Sequence, residues 1–305
     1  MSHPSCLSQK AFSCISCLIL LSLIMCPTLR AQSSDEQNGQ QSSLQFNCPI
    51  ISALDHWVAF PMQKDSAYPF GYIYLDIQAG VTLEYAGSFK ITKSGDFALV
   101  PGSLPKDAGV KIRMEPGPRL LAFIPGGQFG ALKIQKVPSW RKNYDYDSSK
   151  PEVLYQLGFT YNAWQQYNKA LNYLQRAQQL NPDIQGLNTE LAFAYNALYL
   201  FDSAELILSK EMKLHPKDDY TTKEYIYTAS HNKHIKQAID AFENMLKIKP
   251  GYSYAAESTI NIMGFYYLQK DKANFENWYN RFQGMPSKSK EELNMASAMR
   301  DALDK

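Results

Sequence analysis

The chain has 305 residues, with 31 basic and 29 acidic side chains, and its formal net charge is +2. A nearly neutral chain without a basic run lacks the electrostatic footprint of a nucleic-acid-binding protein. Its length and its 45% hydrophobic content predict a globular chain large enough for two compact domains.

Residues 1–31 have the pattern of a bacterial signal peptide. Lys10 precedes an apolar run over residues 11–26, which is short for a membrane span. Ala31 then offers a signal-peptidase site before Gln32. We therefore expect cleavage between these two residues and a periplasmic or secreted protein.

Two other fates of this segment stay open. It could remain as an uncleaved anchor, or Cys26 could carry a lipid, although Met25 stands where a lipoprotein box normally has a small residue. Contact with a membrane is expected only in these two cases.

Cleavage would simplify the chain that follows. Loss of Lys10 and Arg30 leaves 29 basic and 29 acidic residues, and Cys48 remains as the single cysteine. An internal disulfide is then excluded even in an oxidising compartment. Residues 32–45 are polar and predict a flexible leader.

Residues 46–140 alternate between apolar and polar side chains, which is typical of half-buried antiparallel strands. The alternation is clear over 73–78, 81–85, 110–114 and 132–135. Glycine and proline separate these runs, and the 125–130 segment is interpreted as a hairpin turn. About six to eight short strands predict a sandwich or barrel-like β domain, with its topology and role left open. Residues 141–150 are the predicted linker.

The second half of the chain is repetitive. Pro182, Pro216 and Pro250 stand 34 residues apart, and each closes a segment with helical periodicity. In a frame that starts at Pro151, small residues recur at position eight (Gly158 and Ala192) and at position twenty. Small residues let two antiparallel helices approach closely, and proline ends the second helix of each unit.

This pattern resembles the tetratricopeptide repeat family. The resemblance implies an all-α superhelix over residues 151–286, with three clear units and a fourth that is degenerate. Residues 287–305 are rich in lysine and glutamate and predict a capping helix. The expected fold class is therefore α+β multidomain: a small antiparallel β domain followed by a helical solenoid.

The sequence has no pattern typical of a catalytic or metal site. Cys48 and His56 lack an orienting third group, and His231 and His234 lack a third metal ligand. Asp145 opens a calcium-loop-like pattern, but Lys150 stands where that loop needs glycine. We expect a non-enzymatic protein without a cofactor.

In the family that the repeats resemble, the first helix of each unit lines a concave groove. The resemblance therefore implies that this chain's partner-binding residues are Tyr155, Phe159, Asn162, Thr189, Phe193, Asn196, Lys223, Tyr227 and Ser230.

Two ladders stand out among these residues. Phe159, Phe193 and Tyr227 share one register, and Asn162 and Asn196 share another. Aromatic rings supply apolar area, and an asparagine amide can pair with a peptide backbone. The alternative is that the rings only pack against neighbouring helices.

The leading functional hypothesis is an exported scaffold that binds a protein or extended peptide in the bacterial envelope. The family's clamp for acidic tails is not expected, because Tyr155 and Phe159 occupy its lysine and asparagine positions. The alternative is a glycan- or surface-polymer-binding module, in which Trp57, Tyr72 and Tyr74 form an exposed stacking platform on the β domain. The identity of the partner and the oligomeric state do not follow from the sequence.

Overall fold

A computed structural model describes residues 44–63, 66–103 and 109–304. The chain divides into two compact units, with the boundary after Asp147. The first unit is an antiparallel β domain and the second is a stack of helices, so the predicted fold class is confirmed. The predicted signal peptide, most of the predicted leader and Cys26 lie outside the described residues.

The described strands of the first unit form one antiparallel sheet in the order β1-β7-β2-β3-β4-β5, and β6 also pairs with β4. The strands are β1 (Cys48–Pro49), β2 (His56–Ala59), β3 (Tyr68–Asp76), β4 (Gly80–Ile91), β5 (Phe97–Leu99), β6 (Val110–Arg113) and β7 (Leu120–Phe123). Strand β4 is long enough to carry both β6 and β5 on the edge that faces away from β3.

Both faces of β3 are buried. Phe70, Tyr72 and Tyr74 lie on one face in an aromatic core, and Ile73 and Leu75 are buried on the other. A strand covered on both faces does not need polar residues at alternate positions. The alternation in β3 therefore runs between aromatic and aliphatic residues.

Three predictions for this unit are corrected. Residues 132–135 are not a strand: Lys133 has a positive φ of 55°, and the Ile134 amide donates to the Phe129 carbonyl at 3.0 Å, which closes a turn. Gly126–Gln128 form a 3-10 helix instead of a hairpin turn. The predicted linker begins too early, because Ser139–Tyr144 form another 3-10 helix whose Tyr144 ring packs on Tyr74.

The second unit contains four consecutive helix pairs and a last helix. The helices are α1 (Pro151–Ala163), α2 (Tyr167–Leu180), α3 (Leu187–Ala197), α4 (Phe201–Leu214), α5 (Asp219–His231), α6 (Ile235–Ile248), α7 (Ala255–Leu268), α8 (Lys272–Gln283) and α9 (Lys290–Leu303). Helices α2, α4 and α6 start 34 residues apart, and a proline follows each of them, as the repeat frame predicts. None of the described helices is long and apolar enough to cross a membrane.

Successive first helices of the pairs contact each other directly, α1 with α3, α3 with α5 and α5 with α7. Each second helix packs against the first helix of the following pair, as α2 does on α3. The first helices therefore approach one another on the inside of a curved stack. We call the face on which α1, α3, α5 and α7 meet the inner wall.

The turn inside each pair has the same geometry. It contains one residue with positive φ, namely Gln165 (58°), Tyr199 (61°), Lys233 (64°) and Lys270 (55°). The amide of the following residue donates to the carbonyl five positions earlier, at 2.8–3.0 Å, which is the bond of a Schellman motif. The fourth turn comes 37 residues after the third, so the degenerate unit keeps the motif despite its irregular length.

Gly158 shows why a small residue is required at position eight. A Cβ atom added there would lie 2.4 Å from Leu174 Cγ, so the α1 backbone lies directly against the Leu174 side chain of α2 at this point. Gly264 is also helical, in α7, but an added Cβ would meet no atom within 4 Å. The two glycines therefore differ in their surroundings and not in their secondary structure.

We expect Gly158→Val to lower the free energy of unfolding by about 1–3 kcal/mol, because the larger side chain forces α1 and α2 apart. Gly264→Val is the matched control, since it places the same side chain in open space on another helix. Urea denaturation followed by circular dichroism measures both variants. Equal stability of the two variants would show that α1 and α2 are not in close contact.

Helix α9 ends the stack. Its first turn carries a capping box, in which the Glu292 amide donates to Ser289 Oγ and the Ser289 amide donates to the Glu292 carboxylate. Ala296 and Met299 of α9 are buried in the core that α7 and α8 also form. Helix α9 therefore covers the apolar face of the last pair.

Candidate functional site: the inner wall of the helical unit

The nine residues predicted to bind a partner all lie on first helices, in α1, α3 and α5. They fall into two classes. Tyr155, Phe159, Phe193 and Tyr227 are half-buried, whereas the remaining five, Asn162, Thr189, Asn196, Lys223 and Ser230, are buried. The half-buried class is aromatic and the buried class is polar.

The aromatic ladder packs on the protein and also reaches the surface. Phe193 makes an edge contact with Tyr167 at the start of α2, with ring centroids 6.2 Å apart. One unit later, Tyr227 meets Phe201 at the start of α4 at 6.3 Å. Each ring thus joins its own unit to the preceding one and keeps part of its area exposed. Rings held in this way lose little conformational entropy when they bind a ligand.

The two asparagines form a ladder, but their amide groups donate to the protein itself. Asn162 donates to the Glu190 carbonyl and carboxylate, both at 2.9 Å. Asn196 donates to the Glu224 carboxylate at 3.1 Å. Each pair spans 28 residues and joins one first helix to the next, so it ties the stack together along the inner wall.

The two asparagines differ at their acceptor oxygens. Asn196 Oδ1 accepts a hydrogen bond from Thr228 at 2.8 Å. The repeat frame places Ala194 where the third unit has Thr228, and an alanine cannot donate. Asn162 Oδ1 is accordingly buried without a hydrogen-bond partner. A buried acceptor without a hydrogen bond costs about 1–3 kcal/mol of folding free energy. We therefore expect a hydrogen-bond donor to bind at this position.

Thr189 and Ser230 are buried on the same wall. Thr189 Oγ1 shares a hydrogen bond with Thr221 Oγ1 at 2.8 Å, another link between α3 and α5. Ser230 Oγ is buried without a hydrogen-bond partner. Assignment of these polar residues to partner binding stays a prediction, and the interactions given by the structure are those between helices.

Lys223 lies in a cage of acids and rings. Its ammonium group forms ion pairs with Glu224 and, at 3.8 Å, with Glu257 of α7. The same group lies 4.7 Å from the centre of the Tyr220 ring and 5.5 Å from that of Tyr254. Burial lowers the pKa of Lys223, but Glu224 and Glu257 more than offset that effect, so its pKa is raised and the side chain stays charged.

Glu190 is the most perturbed carboxylate of the inner wall. It is 6% exposed, and burial raises its pKa to about 7, although the Asn162 hydrogen bond acts in the opposite direction. The nearby charge of Glu224 raises the pKa of Glu190 further, and Lys223 lowers it. Glu190 and Glu224 were not among the predicted binding residues. The signal was present, because both stand at position six of their units, 28 residues after an asparagine.

Tyr155 lies at the α1 end of the row of buried polar residues on the inner wall. Its hydroxyl lies 2.9 Å from the point where a Cβ atom on Gly186 would stand, and Gly186 has a φ of 84°. Glycine is therefore required at this entry to α3 by both space and backbone conformation. Burial raises the pKa of Tyr155 to about 12, and the charge of Glu190 contributes to that rise.

The stacking platform expected on the β domain is contradicted. Trp57, Tyr72 and Tyr74 are buried in the aromatic core of the sheet. The Trp57 indole donates to the Gln135 carbonyl at 2.7 Å, and the Tyr72 hydroxyl donates to the Asp55 carbonyl at 2.9 Å. Their rings therefore have no face available to a sugar.

The residues considered for catalysis or metal binding have structural surroundings. Cys48 is buried, and burial raises the pKa of its thiol, which makes it a weak nucleophile. His231 stacks on Phe201 and donates to the Tyr227 carbonyl, whereas His234 bonds to Glu205. Within the described residues, no group of three or more His, Cys, Asp or Glu side chains could hold a metal ion.

Comparison with known proteins gives one family match. The tetratricopeptide repeat family matches residues 151–184, which is the first unit of the stack. No curated protein matches the chain.

Several solved structures are similar to the chain. One titled MamA AMB-1, crystal form P212121, has a TM-score of 0.39 at 19% identity and covers 51% of this chain and 83% of its own. Its C2221 form has a TM-score of 0.37 at 18% identity, with coverages of 50% and 82%. One titled MamA MSR-1, crystal form C2, has a TM-score of 0.37 at 18% identity, with coverages of 53% and 83%.

Proposed function

We propose that this chain is a non-enzymatic scaffold of tetratricopeptide type, and that it binds a protein or extended peptide along the inner wall. The observation that carries the proposal is the aromatic row of Phe159, Phe193 and Tyr227. Phe193 and Tyr227 are anchored by ring contacts within the stack, and all three rings remain half-exposed in one register. Such rows are suited to an extended segment or to a partner helix laid along a groove.

The polar residues beneath the rings have a supporting role in this proposal. Asn162 and Asn196 join successive first helices through Glu190 and Glu224. They fix the spacing between units and so hold the rings in register. A wall that is ordered before binding lowers the entropy cost of holding a ligand.

We further propose that the scaffold acts in the bacterial envelope. This part depends on the signal-peptide pattern of residues 1–31 and on the expected cleavage after Ala31. Mass measurement of the mature N-terminus in the producing bacterium tests it directly. A mature chain that starts at Gln32 is expected, and a chain that retains residues 1–31 in the cytoplasm would refute export.

Phe193→Ala is expected to weaken capture of the partner by about 1–3 kcal/mol, because it removes the central ring of the row. Capture is measured by crosslinking and pull-down from envelope extract, with the bound fraction quantified across protein concentrations. Circular dichroism is recorded in parallel, since the same ring contacts Tyr167 inside the stack.

Leu206→Ala is the matched control for this experiment. Leu206 lies on α4, the second helix of the same unit, and its side chain is exposed. Its removal should leave capture unchanged. If Phe193→Ala keeps its fold and captures the partner as well as the unsubstituted chain, the inner wall is not the binding surface.

A further inference from the structure

The inner wall already holds one ammonium group, that of Lys223. This ammonium group is surrounded by the carboxylates of Glu224 and Glu257 and by the ring faces of Tyr220 and Tyr254. Aromatic faces with nearby carboxylates form the usual surroundings of a desolvated cation. This part of the inner wall is therefore a cation-binding site that the protein fills with its own lysine.

One unit earlier, the same wall has the acid but not the cation. Glu190 occupies position six, as Glu224 does in the next unit, whereas Thr189 stands where that unit has Lys223. Glu190 forms no ion pair with a lysine, arginine or histidine within the part of the chain that the structure describes. It is nevertheless buried, so its negative charge is costly as the chain stands.

The charge of this acid reaches two tyrosines, and the asparagine that donates to it carries an unpaired acceptor. The charge of Glu190 acts on Tyr155 of α1 and on Tyr220 of α5, and it contributes to a raised pKa of each. Asn162 donates to Glu190, and its Oδ1 atom is buried without a partner. Oδ1 and the donating nitrogen are attached to the same carbon, so a carboxylate and an unfilled amide oxygen lie side by side. An ammonium group has three donors and could satisfy both.

We propose that Glu190, Asn162 and Tyr155 form a subsite for the side-chain cation of a lysine or arginine in the bound peptide. The inference rests on the proposed function and specifies the partner: the wall selects a basic residue and not an acidic tail. The partner's cation would take, at the second unit, the place that Lys223 has at the third. The charged groups that face Glu190 are Glu224 of α5, which raises the pKa of Glu190, and Lys223 of α5, which lowers it.

The test uses the full chain after removal of residues 1–31 and a phage-displayed library of random peptides. Bound peptides are collected in two separate selections, one with the unsubstituted chain and one with Phe193→Ala. Peptides that bind the unsubstituted chain but not Phe193→Ala are those that bind the inner wall. We expect lysine and arginine to be enriched among the peptides that depend on Phe193. Because the cleaved chain has 29 basic and 29 acidic residues, its net charge supplies no general attraction for cations.

The best selected peptide is then synthesised with lysine or with norleucine at its enriched position. A charge-assisted hydrogen bond in a buried site predicts that lysine binds about ten- to a hundredfold more tightly than norleucine. In Glu190→Gln this ratio should fall to about one, because glutamine keeps an acceptor for Asn162 and lacks the charge. Glu152→Gln, an exposed acid on α1, should keep the full ratio.

Each outcome decides one of the two proposals. Peptides that depend on Phe193 but show no preference for lysine or arginine would overturn the cation subsite and leave the binding groove intact. A lysine preference that persists in Glu190→Gln would also overturn the subsite. If no selected peptide depends on Phe193, the groove itself is refuted as a peptide-binding surface, and the subsite falls with it.

Discussion

Replacing Lys223 by methionine is expected to lower the free energy of unfolding by about 3–5 kcal/mol at neutral pH. Lys223 is 5% exposed, and it is the cation of the ion pairs with Glu224 and Glu257. Its removal leaves these carboxylates in the wall without a counter-charge, and the charge of Glu224 also acts on Glu190. Denaturation by urea, followed by circular dichroism, measures the loss.

Two further variants make this result specific. Lys236→Met removes an exposed lysine that pairs with Asp240 on α6, and it should change stability by less than about 1 kcal/mol. The double variant Lys223→Met with Glu224→Gln should recover most of the loss, because the second change removes one of the stranded charges. A loss below about 1 kcal/mol in Lys223→Met itself would contradict the buried cage.

Glu190→Gln is expected to stabilise the chain by about 3 kcal/mol above pH 7 and to leave it almost unchanged below about pH 4.5. The pKa of Glu190 is about 7 in the folded chain. An unfolded glutamate has a pKa of about 4.3. At pH values between these two pKa values, the folded chain therefore holds a proton on Glu190 that the unfolded chain has released. The contribution of Glu190 to stability is therefore complete at low pH and is lost as the pH rises to about 7.

The measurement is the difference in unfolding free energy between the unsubstituted chain and Glu190→Gln across that pH range. Other titrating groups cancel in this difference, and Glu152→Gln on the exposed face of α1 is measured in parallel as the control substitution. A difference that does not vary with pH would show that Glu190 is not buried as an acid. A difference with the opposite slope would show that a cation pairs with it in the folded chain.

The architecture of the repeats could be predicted from the sequence because packing demands repeat at a fixed spacing. Gly158 predicted a close helix contact, and the structure places Leu174 against it. Pro182, Pro216 and Pro250 predicted the ends of the second helices and are confirmed. The positive φ of Gln165 and Tyr199 was not predicted, since neither residue type favours that conformation.

The chemistry of the inner wall was predicted only in part. The aromatic register of Phe193 and Tyr227 could be deduced from the frame. The hydrogen-bond partners of the asparagine amides could not be deduced. The repeat frame predicts which helices are neighbours, but it does not predict which residue of a neighbouring helix accepts the hydrogen bond. Glu190 and Glu224 were overlooked because an acidic residue in a helix is usually solvated. Their spacing of 28 residues from Asn162 and Asn196 was the available signal.

The β domain was less predictable for a physical reason. Alternation shows that a strand has two different faces, but it does not show that one of them meets water. Tyr72 and Tyr74 were therefore interpreted as exposed, whereas the segment that contains Trp140 covers their face. The 132–135 alternation also failed as a strand signal, since two apolar residues of a tight turn can be buried by the same core.

Photo-crosslinking from the inner wall tests the central claim most directly. A photoreactive phenylalanine analogue is placed at Ala163 or Ala197 on first helices, and at Lys169 or Gln237 on second helices as controls. If the inner wall binds the partner, both first-helix positions should crosslink to the same envelope protein, and the second-helix positions should not. Phe193→Ala should reduce the yield of the product. Crosslinks from the second helices alone, or products that are indifferent to Phe193→Ala, would contradict the account.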